Sequence, residues 1–285
     1  MDIGIAFANT AELATAAGAQ ALAEACEAHG VESVWPVEHV VVPADYQSEY
    51  PYSRDGRMPG GEDSPIPDPL SWLTWIGAHS TSLVLGTGVL ILPLRNPVVL
   101  AKEIASLDSF TGGRVRLGIG VGWLREEFDA IGVPFEARGA RTDEYVAALR
   151  ELWTADEPTM HGKFVDFDRA LSYPKPANGP VPIVVGGHTT FAARRAGRLG
   201  AGFFPAKNKQ LEELIPIMRA AAESAGRDPD VIEITTGAAR DADGMKRLAD
   251  LGVSRVIIPP PALTIDGIGP AVEQAMDYLR TIVPD

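Results

Sequence analysis

Short apolar runs alternate along this chain with longer stretches whose apolar residues recur every three or four positions. The runs predict strands at 3–7, 33–35, 83–92, 115–119, 181–185, 202–204, 231–235 and 255–258. They are nearly continuous in apolar residues, as strands buried on both faces must be. The helical spacing predicts helices at 11–28, 70–80, 97–110, 125–130, 141–153, 190–199, 209–225, 241–251 and 270–282. Gly30 stops the first helix and Pro97 starts the third, in the positions those residues favour. A repeated strand–helix rhythm implies parallel strands covered by helices. Eight such units suit an α/β fold closed into a (β/α)8 TIM barrel; an open doubly wound sheet is the alternative, because the pattern does not carry strand order. Two irregular stretches interrupt the rhythm as insertions after strands 2 and 4. The first, 42–69, holds Tyr46, Tyr50 and Tyr52, and the second spans 154–180. Loops of this length inside a compact domain are usually functional or disordered. Nothing reads as a linker, so residues 1–285 are expected to form one domain.

Charge and composition narrow the function classes. Among 285 residues the formal net charge is −13. That field disfavours nucleic acid and anionic membrane surfaces, both of which call for basic patches. No apolar stretch approaches the ~20 residues that cross a bilayer, and Met1-Asp2-Ile3-Gly4 lacks the basic start of a signal peptide, so a cytoplasmic location is expected. The one cysteine, Cys26, lies in an Ala-rich helical stretch and reads as a small buried hydrophobe. The five histidines are scattered and no metal-ligand spacing occurs, so no metal is expected.

In a (β/α)8 barrel the working groups follow the strands. After the second strand stand Glu38 and His39, an acid/base pair in type and equally a surface pair by composition. The third strand contains Gly86 and Gly88. Glycine inside a strand marks either a close approach of something flat or a bend that closes the barrel. After the fourth come Gly118, Gly120, Gly122 and Trp123, without the third glycine of a dinucleotide fingerprint. Glu126 and Glu127 follow, and either line a ligand or favour the start of the next helix. After the fifth come Gly186, Gly187, His188 and Thr189, opening a helix. Such a start can cradle a phosphate, and Thr189 can equally be a plain cap.

In these segments the chain resembles the luciferase-like monooxygenase family, and within it the coenzyme F420-dependent oxidoreductases. The resemblance rests on Val34-Trp35-Pro36-Val37-Glu38-His39-Val40, Leu85-Gly86-Thr87-Gly88-Val89-Leu90, Leu117-Gly118-Ile119-Gly120-Val121-Gly122-Trp123 and Pro182-Ile183-Val184-Val185-Gly186-Gly187-His188, in that order. It implies a (β/α)8 barrel with a cofactor ring at its mouth. His39 would be the acid/base group, with Glu38 orienting it or sharing its proton. Gly88 and Val89 would form a backbone bulge under the ring, in many relatives with a non-proline cis bond. Gly120, Val121 and Gly122 would pass the cofactor's side chain, and Gly186, Gly187, His188 and Thr189 would hold its phosphate. Trp35, Tyr46, Tyr50, Tyr52 and Trp123 would shape the substrate pocket. The implied activity is hydride transfer between F420 and a small organic substrate. An FMN-dependent two-component monooxygenase with a flavin reductase partner is the alternative, and a non-catalytic flavin-binding barrel the third reading. A homodimer is common in such relatives. Glu38 stands where deazaflavin users commonly carry Asp, and Glu-His pairs are familiar from FMN users, which keeps FMN in view. Arg54, Arg57 and Lys163 are the cations in the two insertions that an anionic cofactor tail would meet.

Overall fold

The computed structural model describes residues 1–205 and 208–283. In chain order the elements are β1 (Asp2–Ala6), α1 (Ala16–His29), β2 (Ser33–Trp35), α2 (Pro69–Ala78), β3 (Val84–Gly86), β4 (Leu90–Ile91), α3 (Pro97–Thr111), β5 (Val115–Gly120), α4 (Arg125–Ile131) and α5 (Arg138–Thr154). They continue with β6 (Met160–His161), β7 (Asp166–Phe167), β8 (Ile183–Gly186), α6 (Thr190–Leu199), β9 (Gly202–Phe204), α7 (Leu211–Ser224), β10 (Glu233–Gly237), α8 (Ala242–Asp250), β11 (Arg255–Ile258) and α9 (Ile265–Ile282).

Among the described residues, nine parallel strands join in the order β3-β2-β1-β11-β10-β9-β8-β5-β4, and a further β3–β5 pairing closes the ring. β3 and β4 are two halves of one stave, since both pair with β5. The result is a closed eight-stave (β/α)8 barrel, and the closure removes the open-sheet alternative.

The sequence predicts a continuous third strand over 83–92. The structure breaks it at a cis Gly88–Val89 peptide; up to that point the pairing with β2 keeps its register, with Gly88 N–H donating to the Pro36 carbonyl as Val84 N–H does to the Glu32 carbonyl. The seventh barrel strand begins two residues late. Pro229–Val231 forms a 3-10 turn capped by Asp228, which leaves Val231 exposed. The first predicted helix is split at Thr15, whose hydroxyl caps α1 by accepting from Gly18 N–H at 3.1 Å. The closing helix starts five residues early and contains Pro270.

The second insertion corrects an expectation about the mouth. It leaves from the C-terminal end of α5, and barrel helices run back to the end opposite the active face. Its β6–β7 hairpin folds onto the outside of α5, where Glu144 accepts from the Phe164 and Val165 N–H groups and Arg141 stacks on Phe164 at 4.8 Å. Lys163 is therefore held on that outer surface. Only the first insertion, after β2, belongs to the mouth.

The strand pleat explains the glycines. Ile3, Ile5, Val34, Leu85, Leu117, Ile119, Ile183 and Val185 face outward into the core under the helices. Their alternates face inward, and many of these are glycine: Gly4, Gly86, Gly118, Gly120, Gly186 and Gly202. They make room for Trp35, Val89 and Phe204, which with Ala6, Val184 and Ile257 fill the barrel interior. A methyl group on Gly86 would lie 2.3 Å from the Trp35 ring, and one on Gly120 or Gly186 would lie 2.8 or 2.6 Å from a Val89 methyl. The flat object against Gly86 is thus the indole of Trp35. Trp35 is fully buried, with its N–H donated to Ser33 Oγ at 2.8 Å. It is barrel filling, and the pocket role expected for it is withdrawn. Gly118 is the tightest position, since a methyl there would meet the Thr87 carbonyl at 1.8 Å. Gly118→Ala is expected to destabilise by about 3 kcal/mol or more, the upper range for overpacking against rigid backbone, read from the urea midpoint. An unchanged midpoint would contradict this packing.

Candidate active site

The mouth is assembled by buried polar side chains that pin the first insertion to the strand ends. Asn9, just past β1, is fully buried. Its amide accepts from Val37 N–H at 2.9 Å and donates to the Val37 and Pro67 carbonyls at 2.9 and 3.2 Å, holding both ends of the loop. Nothing in the sequence pattern singles out this residue, because an Asn after a strand reads as an ordinary turn former.

Glu38 and His39 part company at the end of β2. Glu38 is buried and turns toward the β4 side, where it accepts from Ile91 N–H and from both Nε and Nη2 of Arg95. Arg95 also reaches Asp68. Burial pushes the Glu38 carboxyl up, against the lowering pull of Arg95 and the Ile91 N–H. Burial alone would lower Arg95, but its two carboxylate partners outweigh that and hold it above its ordinary value. Glu38 is therefore occupied as an anchor, and the orienting role expected for it belongs elsewhere.

That role falls to Glu127, in the first turn of α4. Its Oε2 lies 3.1 Å from His39 Nδ1, while Oε1 accepts from Val40 N–H at 2.6 Å. Glu127 is fully buried. An acceptor at Nδ1 fixes the imidazole with its proton there, which leaves the lone pair on Nε2. A Glu at a helix start looks in sequence like compensation of the helix dipole, and that resemblance hides its function.

The neighbouring Glu126 clasps the loop. It accepts from Gln47 N–H at 2.7 Å, Ser48 N–H at 3.1 Å and Ser48 Oγ at 2.7 Å. Burial raises its carboxyl, but the Ser48 hydroxyl and Gln47 N–H outweigh that and hold it down at about 2, against an ordinary 4.5. A depressed acid stabilises its contacts fully above the ordinary value and loses them as pH falls toward the folded one. The clasp should persist at pH 5–8 and weaken below about 4.5. Glu126→Gln is expected to speed limited proteolysis within residues 42–69 several-fold at neutral pH. Cleavage at the wild-type rate would show that the clasp carries no weight.

Between these pins runs a chain of rings across the mouth. Trp123 meets His39 at 5.7 Å, Tyr46 at 5.5 Å and Tyr50 at 5.1 Å; Tyr50 meets Tyr52 at 5.2 Å, and Tyr52 meets His188 at 5.0 Å. Every contact is edge-to-face, the geometry ring quadrupoles prefer. The loop after β2 thus spans from β2 over β5 to β8. Tyr46 itself is buried, accepting Met58 N–H on its hydroxyl with Arg57 stacked on its ring. It is a strut of the loop and does not line a pocket. Tyr50, Tyr52 and Trp123 keep partial exposure.

On the three staves that follow β2 round the barrel, Gly88, Val89, Gly120, Val121, Gly122, Gly186, Gly187 and His188 are all partly exposed at the strand ends. Gly187 has φ +120°, open to glycine alone, and its N–H donates to the Phe204 carbonyl at 3.1 Å. Thr189 caps α6 by accepting from Ala192 N–H at 3.2 Å. The first N–H groups of α6 have no helical acceptor, as at any helix start. The plain capping role of Thr189 and the phosphate cradle are therefore compatible.

Comparison with known proteins identifies the family. Residues 1–241 match the luciferase-like monooxygenases. The chain belongs to the luciferase-like monooxygenase family. An uncharacterised protein of Mycobacterium tuberculosis is 36% identical over 239 residues, 83% of each chain. An F420-dependent glucose-6-phosphate dehydrogenase of Nakamurella multipartita is 34% identical over 220 residues, 74% of this chain and 60% of that one. The crystal structure of a monooxygenase from Streptomyces bottropensis superposes with a TM-score of 0.66 at 26% identity, covering 98% of this chain and 82% of that one. The family supports an enzyme of the oxidoreductase class with a flavin or deazaflavin cofactor. In this luciferase-like chain no described helix is long and apolar enough to cross a membrane, and no described His/Cys/Asp/Glu group is arranged to hold a metal ion.

Proposed function

We propose that this protein is an oxidoreductase that moves a hydride between coenzyme F420 and a small organic substrate at the barrel mouth. The observation that carries the reading is the His39–Glu127 pair at 3.1 Å, set at the strand ends on the stave next to the partly exposed Gly88–Val89 segment. The residues fit the cofactor class. Gly88 and Val89 offer partly exposed backbone to a ring, and Gly186, Gly187, His188 and Thr189 lead into the α6 N-terminus, whose first N–H groups and positive potential suit a phosphate. When bound, the coenzyme supplies the two-electron chemistry, giving or accepting the hydride. The chain supplies the rest. His39 Nε2 takes or gives the proton at the substrate oxygen. Glu127 holds the imidazole in the required tautomer. The Trp123–Tyr50–Tyr52 span keeps water from the reacting atoms, which strengthens every polar contact beneath it. The choice of F420 leans on the relative from Nakamurella multipartita.

FMN-dependent oxygenation is the second reading, favoured by the likeness to the Streptomyces bottropensis monooxygenase. It would call for a reductase partner. Anaerobic reduction or reoxidation of F420 in the presence of a panel of alcohols, ketones and enones tests the leading reading. Oxygen uptake with reduced FMN, together with no F420 turnover, would replace it with the second.

A further inference from the structure

Within the redox reading above, on which it rests, we infer that the mouth takes an uncharged, largely apolar substrate and turns away phosphorylated or carboxylate ones. The first ground is the surface beside His39. Val40 and Val41 follow it directly and are 47% and 42% exposed, and Phe7, just past β1 with φ +56°, is 47% exposed. Trp123 and Tyr50 stand over the same end of the barrel, joined ring to ring with His39. Binding sites dominated by aromatic and aliphatic groups with one convergent polar atom select molecules of the same character.

The second ground is charge. Glu38, Glu126 and Glu127 lie on or under this rim. Arg54 is exposed on the first insertion, and the other described arginines here are committed. Arg95 is held between Glu38 and Asp68. Arg57 donates to the Tyr46 carbonyl at 2.7 Å and stacks on that ring. Arg125 pairs with Glu136 at 2.8 Å. Arg138 donates to the Gly122 carbonyl at 3.1 Å and lies 3.7 Å from the Phe135 ring centre. A substrate phosphate wants several free guanidinium or ammonium donors; among the described residues here Arg54 is the uncommitted one, and the buried carboxylates add a field of the wrong sign. The α6 N-terminus, a positive feature of the mouth, is the part assigned to the cofactor's own phosphate.

The test first titrates the full-length protein with F420 and with FMN by absorbance, which judges the redox reading by itself. The loaded protein is then given cyclohexanol and glucose 6-phosphate at low salt. We expect kcat/KM at least 100-fold higher for the uncharged alcohol. Trp123→Ala should raise its KM ten-fold or more with a smaller change in kcat. A second readout needs no turnover. Cyclohexanone should quench tryptophan fluorescence saturably in the wild type and not in Trp123→Phe, while glucose 6-phosphate should quench neither. Equal or better turnover of glucose 6-phosphate, saturable quenching by it, or no saturable quenching by cyclohexanone would each overturn the inference. If neither cofactor binds, the redox reading fails, and the quenching comparison still judges the pocket.

Discussion

His39→Ala is expected to lower kcat by about 10²–10⁴, the usual contribution of a placed acid/base group, while the dissociation constant for the cofactor changes less than three-fold. Proton transfer at the substrate oxygen is a transition-state event, so kcat and kcat/KM should fall together. Glu127→Gln separates the imidazole from its orientation. The glutamine keeps the shape, but its amide must serve both Val40 N–H and His39 Nδ1, which the two glutamate oxygens now do at 2.6 and 3.1 Å. With a donor facing a donor at one of them, the tautomer is no longer fixed. The expected loss is about ten-fold or more in kcat, within the range of general acid–base effects. The ¹⁵N signals of His39 should move away from the Nδ1–H pattern of the wild type. A His39→Ala enzyme with wild-type kcat would remove the residue from the chemistry. A Glu127→Gln enzyme with unchanged imidazole signals would remove the orienting role.

Arg95→Met carries the largest expected effect on stability. It leaves Glu38, whose side chain is 1% exposed, with one backbone donor and no countercharge. Breaking a buried ion pair by removing one partner costs roughly 3–5 kcal/mol, because the remaining charge stays buried. The urea midpoint should fall accordingly. Converting Glu38 to Met in the same chain should recover part of the loss, since a pair of apolar side chains leaves no unmatched charge. A single variant as stable as the wild type would show that Glu38 is neutral and that the pair does not anchor the loop.

The barrel was readable because its strands and helices keep strict periods, and the outward faces of the strands are apolar almost without exception. The break at Gly88–Val89 was not readable as a backbone path. The strand pattern continues through it; Gly86 and Gly88 leave a bend and a close approach equally open, and the family resemblance adds the bulge. The glycines were visible, but their purpose needed the pleat. Inward-facing positions with no Cβ admit Trp35 and Val89, and that removes Trp35 from the pocket. The site was misread where neighbours in sequence looked like partners. Adjacent residues at a strand end project to different sides, so Glu38 joins Arg95 while His39 finds Glu127, 88 positions away. A carboxylate at a helix start carries two meanings, and composition favours the duller one. Asn9 shows the same limit, since its three bonds to the loop exist only once β1 and β2 lie side by side.

A redox role requires a cofactor at the mouth, and an equilibrium absorbance titration of the protein with F420 and with FMN decides whether one binds. The account predicts saturable binding of F420 in the low micromolar range, about 8 kcal/mol, with FMN at least ten-fold weaker, and weakening of both when Gly187 is replaced by Val at its φ of +120°. Saturable binding of FMN alone would contradict the deazaflavin assignment, and binding of neither would contradict the redox site itself.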